Sequence, residues 1–246
     1  MKYCFTTLAA GEKYENIATK LFQDLREKTS DCDFFIATNN KELTDLGERI
    51  YVDCIEGPVR APNTLFLYNL KSLAFKHVVK HEQLFGRQYD YIIYIDADWY
   101  VDEGFNENKI LDLLNYMEEE DIDFSFERNA FVRQSRIYDN VKEAFFLEKL
   151  IEYDVMDYEG WDEARVPNEQ FMIFKNSTKF KVFVMKWEMF LLYSMKYEIN
   201  NHAEGFEMGV SAYEVGMSKY NFNLFYRFLE GCFYFFNSSG VKHTKF

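Results

Sequence analysis

The sequence predicts an α/β protein built on a central, mostly parallel sheet flanked by helices. Short β-branched or aromatic runs alternate with helical patterns up to about residue 120, the signature of βαβ units. Residues 89–95 form an almost unbroken apolar run, as a central parallel strand covered on both faces requires. At 246 residues and 48% hydrophobic content, the chain can bury one large core as a single domain. Crossovers of this kind are right-handed and gather ligands at the carboxyl ends of the strands.

A first strand spans residues 3–8, and Gly11 breaks it before a helix with Ile17, Leu21 and Leu25 on one stripe. A second strand at 33–38 closes at Asn39-Asn40. A short polar helix follows, and a third strand at 49–53 closes at Gly57-Pro58. Between residues 64 and 85, Phe66, Leu70, Leu73, Ala74 and Leu84 share one helical face, and Gly86 ends the helix. The apolar run at 89–95 then enters Asp96-Ala97-Asp98. A charged helix end at 118–121 precedes a strand at 122–126, and later come a strand at 171–174 and a helix at about 180–195 centred on Trp187. Glycines punctuate 205–216, and the aromatic tail at 220–236 fits both a strand period and a helical one. No linker or internal repeat divides the chain.

Forty-one acidic against 28 basic residues give a formal charge of −13, which argues against a protein that coats nucleic acid through its phosphates. Aromatic residues reach 19% while proline is confined to 3 positions, so the chain is neither disordered nor proline-spaced. Cys4, Cys32, Cys54 and Cys232 make no C-x-x-C pair, which suits reduced thiols in a cytoplasm. Thr6 and Thr7 interrupt the first apolar residues, and Glu12 and Lys13 follow, so the start reads as a strand and not as a secretory signal. No apolar run approaches the roughly 20 residues of a bilayer span. The expectation is a cytoplasmic protein without a transmembrane segment.

Asp96 and Asp98 put two carboxylates into the crevice above the sheet, and nothing nearby in the sequence offsets them. A divalent cation would. Mg²⁺ or Mn²⁺ takes hard oxygen ligands, holds the diphosphate of a nucleotide and stabilises the charge of a departing one. An acidic turn that merely closes a strand is the bland alternative. The buried strand before the motif and the three β units upstream weigh against it.

At these residues the chain resembles the GT-A glycosyltransferases, the nucleotide-diphospho-sugar transferase superfamily, whose domain has a Rossmann-like sheet. The likeness rests on the strand ending Phe5-Thr6-Thr7-Leu8, the helix with Asn69-Leu70-Lys71, the strand Tyr91 to Asp98, and the segment Asn168 to Asn176. It implies one GT-A domain over 1–246, with 1–120 binding a nucleotide-sugar donor and 121–246 a carbohydrate or other hydroxyl acceptor. It implies Mn²⁺ or Mg²⁺ as cofactor, with Asp98 the firmer ligand, Asp96 on the metal or the ribose, and Thr6 and Thr7 beside the base or ribose. His243 stands where many such enzymes carry a carboxy-terminal metal-binding histidine, and Lys242 and Lys245 beside it suit a diphosphate. The Lys-Pro-Trp ending of family-8-like transferases is absent, and a frayed terminus is the competing reading.

An inverting transferase needs a carboxylate base for the acceptor hydroxyl. Residues 203–216 are similar to the element that carries it, with Glu207 the first choice and Glu204 the second. The usual adjacent Glu-Asp pair is missing, and a helix start favours a carboxylate through its dipole alone. A retaining enzyme would instead set Asn168 or Gln170 beside the anomeric carbon. For Lys71 the resemblance suggests a donor-phosphate or helix-orienting role, against a solvated lysine.

His77 and His81 are read as buried, hydrogen-bonded histidines and not as a zinc site, because the glutamate of H-E-x-x-H is lacking. Arg128, Arg133 and Arg136 could grip an anion or form surface salt bridges. Tyr158 and Trp161 could stack on a sugar or pack in the core. The tail suits core packing or a homodimer surface.

Three rival functions share these features. A haloacid-dehalogenase-like phosphatase also places D-x-D after an apolar strand, but on its first strand and with Thr or Val where Tyr100 stands here. A nucleotidyltransferase would need a Gly-rich, basic loop after Leu8, where the chain has Ala9-Ala10-Gly11-Glu12. A non-catalytic carbohydrate-binding or assembly protein has no need of two unneutralised carboxylates at a cleft.

Overall fold

A computed structural model describes residues 1–55, 71–126, 129–131, 165–167, 170–196, 204–217, 220–221, 224–236 and 240–244; the side chains at 129–131, 165–167, 191–196, 204–207 and 220–221 lie outside the description. The strands are β1 (Tyr3–Ala9), β2 (Asp33–Thr38), β3 (Ile50–Cys54), β4 (Tyr91–Ile95), β5 (Trp99–Val101), β6 (Phe124–Phe126), β7 (Asn129–Phe131), β8 (Arg165–Pro167), β9 (Phe171–Lys175), β10 (Tyr220–Asn221), β11 (Phe233–Phe236) and β12 (Lys242–Thr244). The helices are α1 (Glu12–Lys28), α2 (Lys71–Phe85), α3 (Glu107–Glu119), α4 (Thr178–Lys196), α5 (Glu204–Glu214) and α6 (Leu224–Leu229).

Among the described residues seven strands form one sheet in the order β10-β6-β9-β4-β1-β2-β3. All run the same way except β9, which is antiparallel to both neighbours, β4 and β6. This is the α/β class with a mostly parallel sheet that the sequence predicts. Three further strands, β12-β11-β5, make a small antiparallel sheet, and β7 pairs with β8.

Alternation along the strands builds a core on each face of the large sheet. Tyr3, Phe5, Phe34, Ile36, Ile93 and Ile95 face one side, with Leu21, Phe22 and Leu25 of α1 and Leu113 and Met117 of α3. Cys4, Phe35, Ile92, Tyr94, Met172 and Phe174 face the other, with Phe75 and Val78 of α2 and Phe183 and Trp187 of α4. β4 is buried along its whole length, because both faces are covered. All four cysteines are free thiols. No helix among the described residues is long and apolar enough to cross a membrane.

Some local expectations are corrected. The polar segment after β2 forms turns and no helix. Side chains there capture the backbone, with the Glu42 N–H donating to Asn40 Oδ1 at 2.9 Å and the Gly47 N–H to Asp45 Oδ1 at 3.1 Å. Leu84 is exposed and does not share the buried face of α2, which Ala74, Phe75, Val78 and His81 form instead. Within the charged helix end, Glu118 is tied to the sheet: hydrogen bonds from Lys175 and then Tyr91 hold its carboxyl below the ordinary range. The ambiguous tail divides into β10, α6 and β11, so each of its two periods holds over a different stretch.

Candidate functional site

The Asp96-Ala97-Asp98 motif sits in a tight turn that joins β4 of the large sheet to β5 of the small one. The backbone is pinned on both sides. The Asp96 N–H donates to the Gln170 carbonyl at 2.9 Å, continuing the β4–β9 ladder, and the Trp99 N–H closes the turn on the Asp96 carbonyl at 3.2 Å. Ala97 and Trp99 point into the core, where Trp99 lies against Phe171, Phe225 and Phe233. Asp96 and Asp98 point the other way and are partly exposed. Two inward anchors therefore fix the direction of two outward carboxylates.

The expectation that nothing offsets these carboxylates is corrected. Lys71, the first residue of α2, places Nζ 3.0 Å from Asp96 Oδ1, and the Tyr94 O–H donates to the same oxygen at 3.1 Å. The ammonium also lies 5.4 Å from the centroid of the Tyr94 ring. Lys71 is buried, so the solvated-lysine alternative is also corrected. The pairing follows from parity: Tyr94 and Asp96 both face the α2 side of the sheet.

Thr6 and Thr7 are fully buried in β1. Thr6 Oγ1 is shared between the Ala74 carbonyl at 2.9 Å and the Phe35 carbonyl at 3.3 Å, so its hydroxyl ties β1 and β2 to α2. Thr7 Oγ1 is buried and has no hydrogen-bond partner among the described residues. His243 pairs with Phe235 across β12 and β11, and its ring stacks on Phe235 at 5.4 Å. Among the described residues no group of three or more His, Cys, Asp or Glu side chains converges on a metal position, so Asp96, Asp98 and His243 are not brought together as such a group. Lys242 is engaged by Asp102 at 3.0 Å. Glu204 opens α5 and Glu207 lies in its first turn, their side chains outside the description. Asn168 and Lys245 lie outside the described residues, as do Arg128, Arg133, Arg136, Tyr158 and Trp161.

Sequence reasoning missed a polar cluster at the carboxyl ends of β1 and β2. Glu15 is buried, and it accepts from the Thr38 hydroxyl at 3.1 Å, the Asn40 amide at 2.8 Å and the Gly11 N–H at 3.2 Å. The Gly11 N–H is shared with Asn39 Oδ1 at 3.1 Å. The signal was available: a glycine four residues before an acid at a helix start, opposite a strand that ends in two asparagines. His77 and His81 are buried as expected, but among the described residues their Nδ1 atoms have no hydrogen-bond partner, which corrects the second half of that reading. They line a groove of about 340 Å³ between β3 and α2, with Tyr51, Asp53, Lys80 and Phe85.

No protein-family model and no curated protein matches the chain. Among solved structures it is similar to the galactosyltransferase LgtC in complex with donor and acceptor sugar analogues. The identity is 11% over 90% of this chain and 73% of that one, at a TM-score of 0.49. A likeness of that degree decides nothing about activity, and the fold stands on the strand order and register given above.

Proposed function

We propose that the chain is a metal-dependent glycosyltransferase of the GT-A type, moving a sugar from a nucleotide-diphosphate donor to a hydroxyl acceptor. The observation that carries this reading is the pinned turn at the carboxyl end of β4, which presents Asp96 and Asp98 beside buried Lys71. Ligands of open α/β sheets bind at this edge. Because β4 is the fourth strand in chain order, the placement also favours a transferase over a phosphatase with its motif on the first strand.

The donor set suits a hard divalent cation. Mg²⁺ is commonly bound by one or two carboxylates with substrate phosphates completing its shell, so no third protein ligand is required. Asp98 would hold the ion, with Asp96 contributing the oxygen that Lys71 and Tyr94 do not engage. When bound, the ion neutralises the diphosphate and the charge on the departing nucleotide. The chain's own residues do the rest. Lys71 fixes the Asp96 carboxylate in one orientation and supplies a fixed positive charge at the crevice, while Trp99 holds the turn.

Residues 1–120 form the donor half and 121–246 the acceptor half in this reading. Glu207 is the base for an inverting step, with Glu204 second, and Asn168 is the polar group for a retaining one. The test is turnover of sugar nucleotides by the Asp98→Ala variant: activity is abolished while the fold persists, and unchanged transfer overturns the proposal.

A further inference from the structure

The small sheet that begins one residue after Asp98 has an outer face with no role in the account so far. Cross-strand partners share a face, so Trp99, Phe235 and His243 lie on one side, and Tyr100, Tyr234 and Thr244 on the other. Alternation adds Phe236 and its partner Lys242 to the second side. Trp99 and Phe233 belong to the core, so the tyrosine side is the outer one. Tyr100 follows Asp98 by two residues along the chain, and the Phe236 ring meets the Tyr100 ring.

The rings on this face form a step. Tyr100 and Tyr234 stack at 5.2 Å and 15°, and Phe236 stands edge-on to both, at 5.3 Å and 77° from Tyr100 and at 5.5 Å and 89° from Tyr234. Lys242 lies across Tyr234, with Nζ 4.0 Å from the ring centroid and 3.0 Å from Asp102 Oδ2. Tyr234 is thus capped, while Tyr100 is partly exposed and Phe236 is 47% exposed.

We propose that this step, where Tyr100 from the donor half meets Phe236 from the acceptor half, is the acceptor subsite and that the acceptor is a saccharide whose ring stacks on both. The inference rests on the glycosyltransferase reading and narrows its acceptor from any hydroxyl compound to a sugar. Alternate residues of an extended chain are about 6.7 Å apart, so Tyr100 stands near Asp98, and Phe236 adjoins it with ring centroids 5.3 Å apart. An acceptor hydroxyl must come within about 3–3.5 Å of the reacting carbon, whose diphosphate is held at the motif in this reading, so the acceptor ring has to bind beside the turn, where this step stands. The C–H bonds on a sugar face meet the negative face of an aromatic ring, while its hydroxyls point outward to polar groups at the edge. The Lys242–Asp102 pair and the Tyr100 hydroxyl supply such an edge. A purely apolar occupant would leave these groups unused.

The test is saturation-transfer NMR of the full chain with a panel of methyl glycosides and short oligosaccharides, which needs no donor. The expected result is transfer to sugar ring protons in the wild type, at least tenfold weaker binding in Phe236→Ala and Tyr100→Ala, and retention in Phe236→Trp. Thermal stabilisation of the alanine variants by sugar nucleotides should stay at the wild-type level. The inference is overturned if no saccharide binds, or if both alanine variants bind saccharides like the wild type. Loss of sugar-nucleotide stabilisation in the wild type itself would instead strike the glycosyltransferase reading.

Discussion

Two edges of the large sheet carry the same three chemical groups and use them differently. At the amino end, Asp33 of β2 meets the Arg87 guanidinium at 2.8 Å and the Tyr89 hydroxyl. At the carboxyl end, Asp96 after β4 meets the Lys71 ammonium at 3.0 Å and the Tyr94 hydroxyl at 3.1 Å. The Asp33 side chain is 0% exposed and the Asp96 side chain 19%. Asp33 is sealed in a network in which Arg87 also holds Asp31 at 2.8 Å, while nearby Glu82 receives the Tyr89 N–H at 3.0 Å and the Asn176 amide at 2.6 Å. Asp96 is partly exposed in a turn that also carries Asp98. An acid, a base and a tyrosine are therefore not in themselves a site; access to a ligand separates a fastening from a candidate active centre.

The largest effect on stability is expected at the sealed edge. Asp33→Ala leaves the buried Tyr89 hydroxyl without its partner and Arg87 with Asp31 alone, and should cost about 2 kcal/mol in denaturant unfolding, since a buried donor left unsatisfied keeps its desolvation penalty. Donor binding by the folded fraction should be unaffected. At the open edge the order reverses. Lys71→Met should cost only about 1 kcal/mol, because water can reach Asp96, while thermal stabilisation by a sugar nucleotide should fall at least tenfold in apparent affinity. Equal costs at the two edges would break the comparison.

A smaller effect follows from pH. Burial lowers the pKa of His77 from 6.5 to about 4; Asp53 opposes the shift, and His81 and Lys80 add to it. The unfolded chain therefore binds a proton near pH 6.5 that the native state does not take up until about pH 4. Stability is fully present above the unfolded value and declines as pH falls through this window. Burial lowers His81 in the same direction. Unfolding free energies measured across the window should show this slope, and His77→Gln should flatten it.

Much of the fold was legible because its signals are local. The unbroken apolar run of β4 announced a strand covered on both faces. Gly11 and Gly86, both at positive φ, mark the start of α1 and the end of α2 as read. What was not legible depended on contacts across the chain. The Lys71–Asp96 pair joins residues 25 positions apart through the packing of α2 on β4, and no spacing rule reports it. The buried Glu15 cluster requires β1 and β2 to be adjacent before Asn39 and Asn40 become more than a turn. Leu84 fits the helical period of α2 yet is exposed, lining the groove beside β3, because periodicity gives a direction but not the closeness of the neighbouring layer. The segment after β2 was misread because asparagine and aspartate side chains compete with helical hydrogen bonds.

The central claim is that the turn carrying Asp98 holds the donor diphosphate through a divalent cation. Its most direct test is the release of nucleoside diphosphate from a panel of sugar nucleotides, in Mn²⁺ and after chelation, by the wild-type chain and by Asp98→Ala. The account predicts metal-dependent release by the wild type and at least a hundredfold loss in the variant, as for removal of a principal source of transition-state charge stabilisation, with the unfolding midpoint unchanged. Release by Asp98→Ala at the wild-type rate would contradict it.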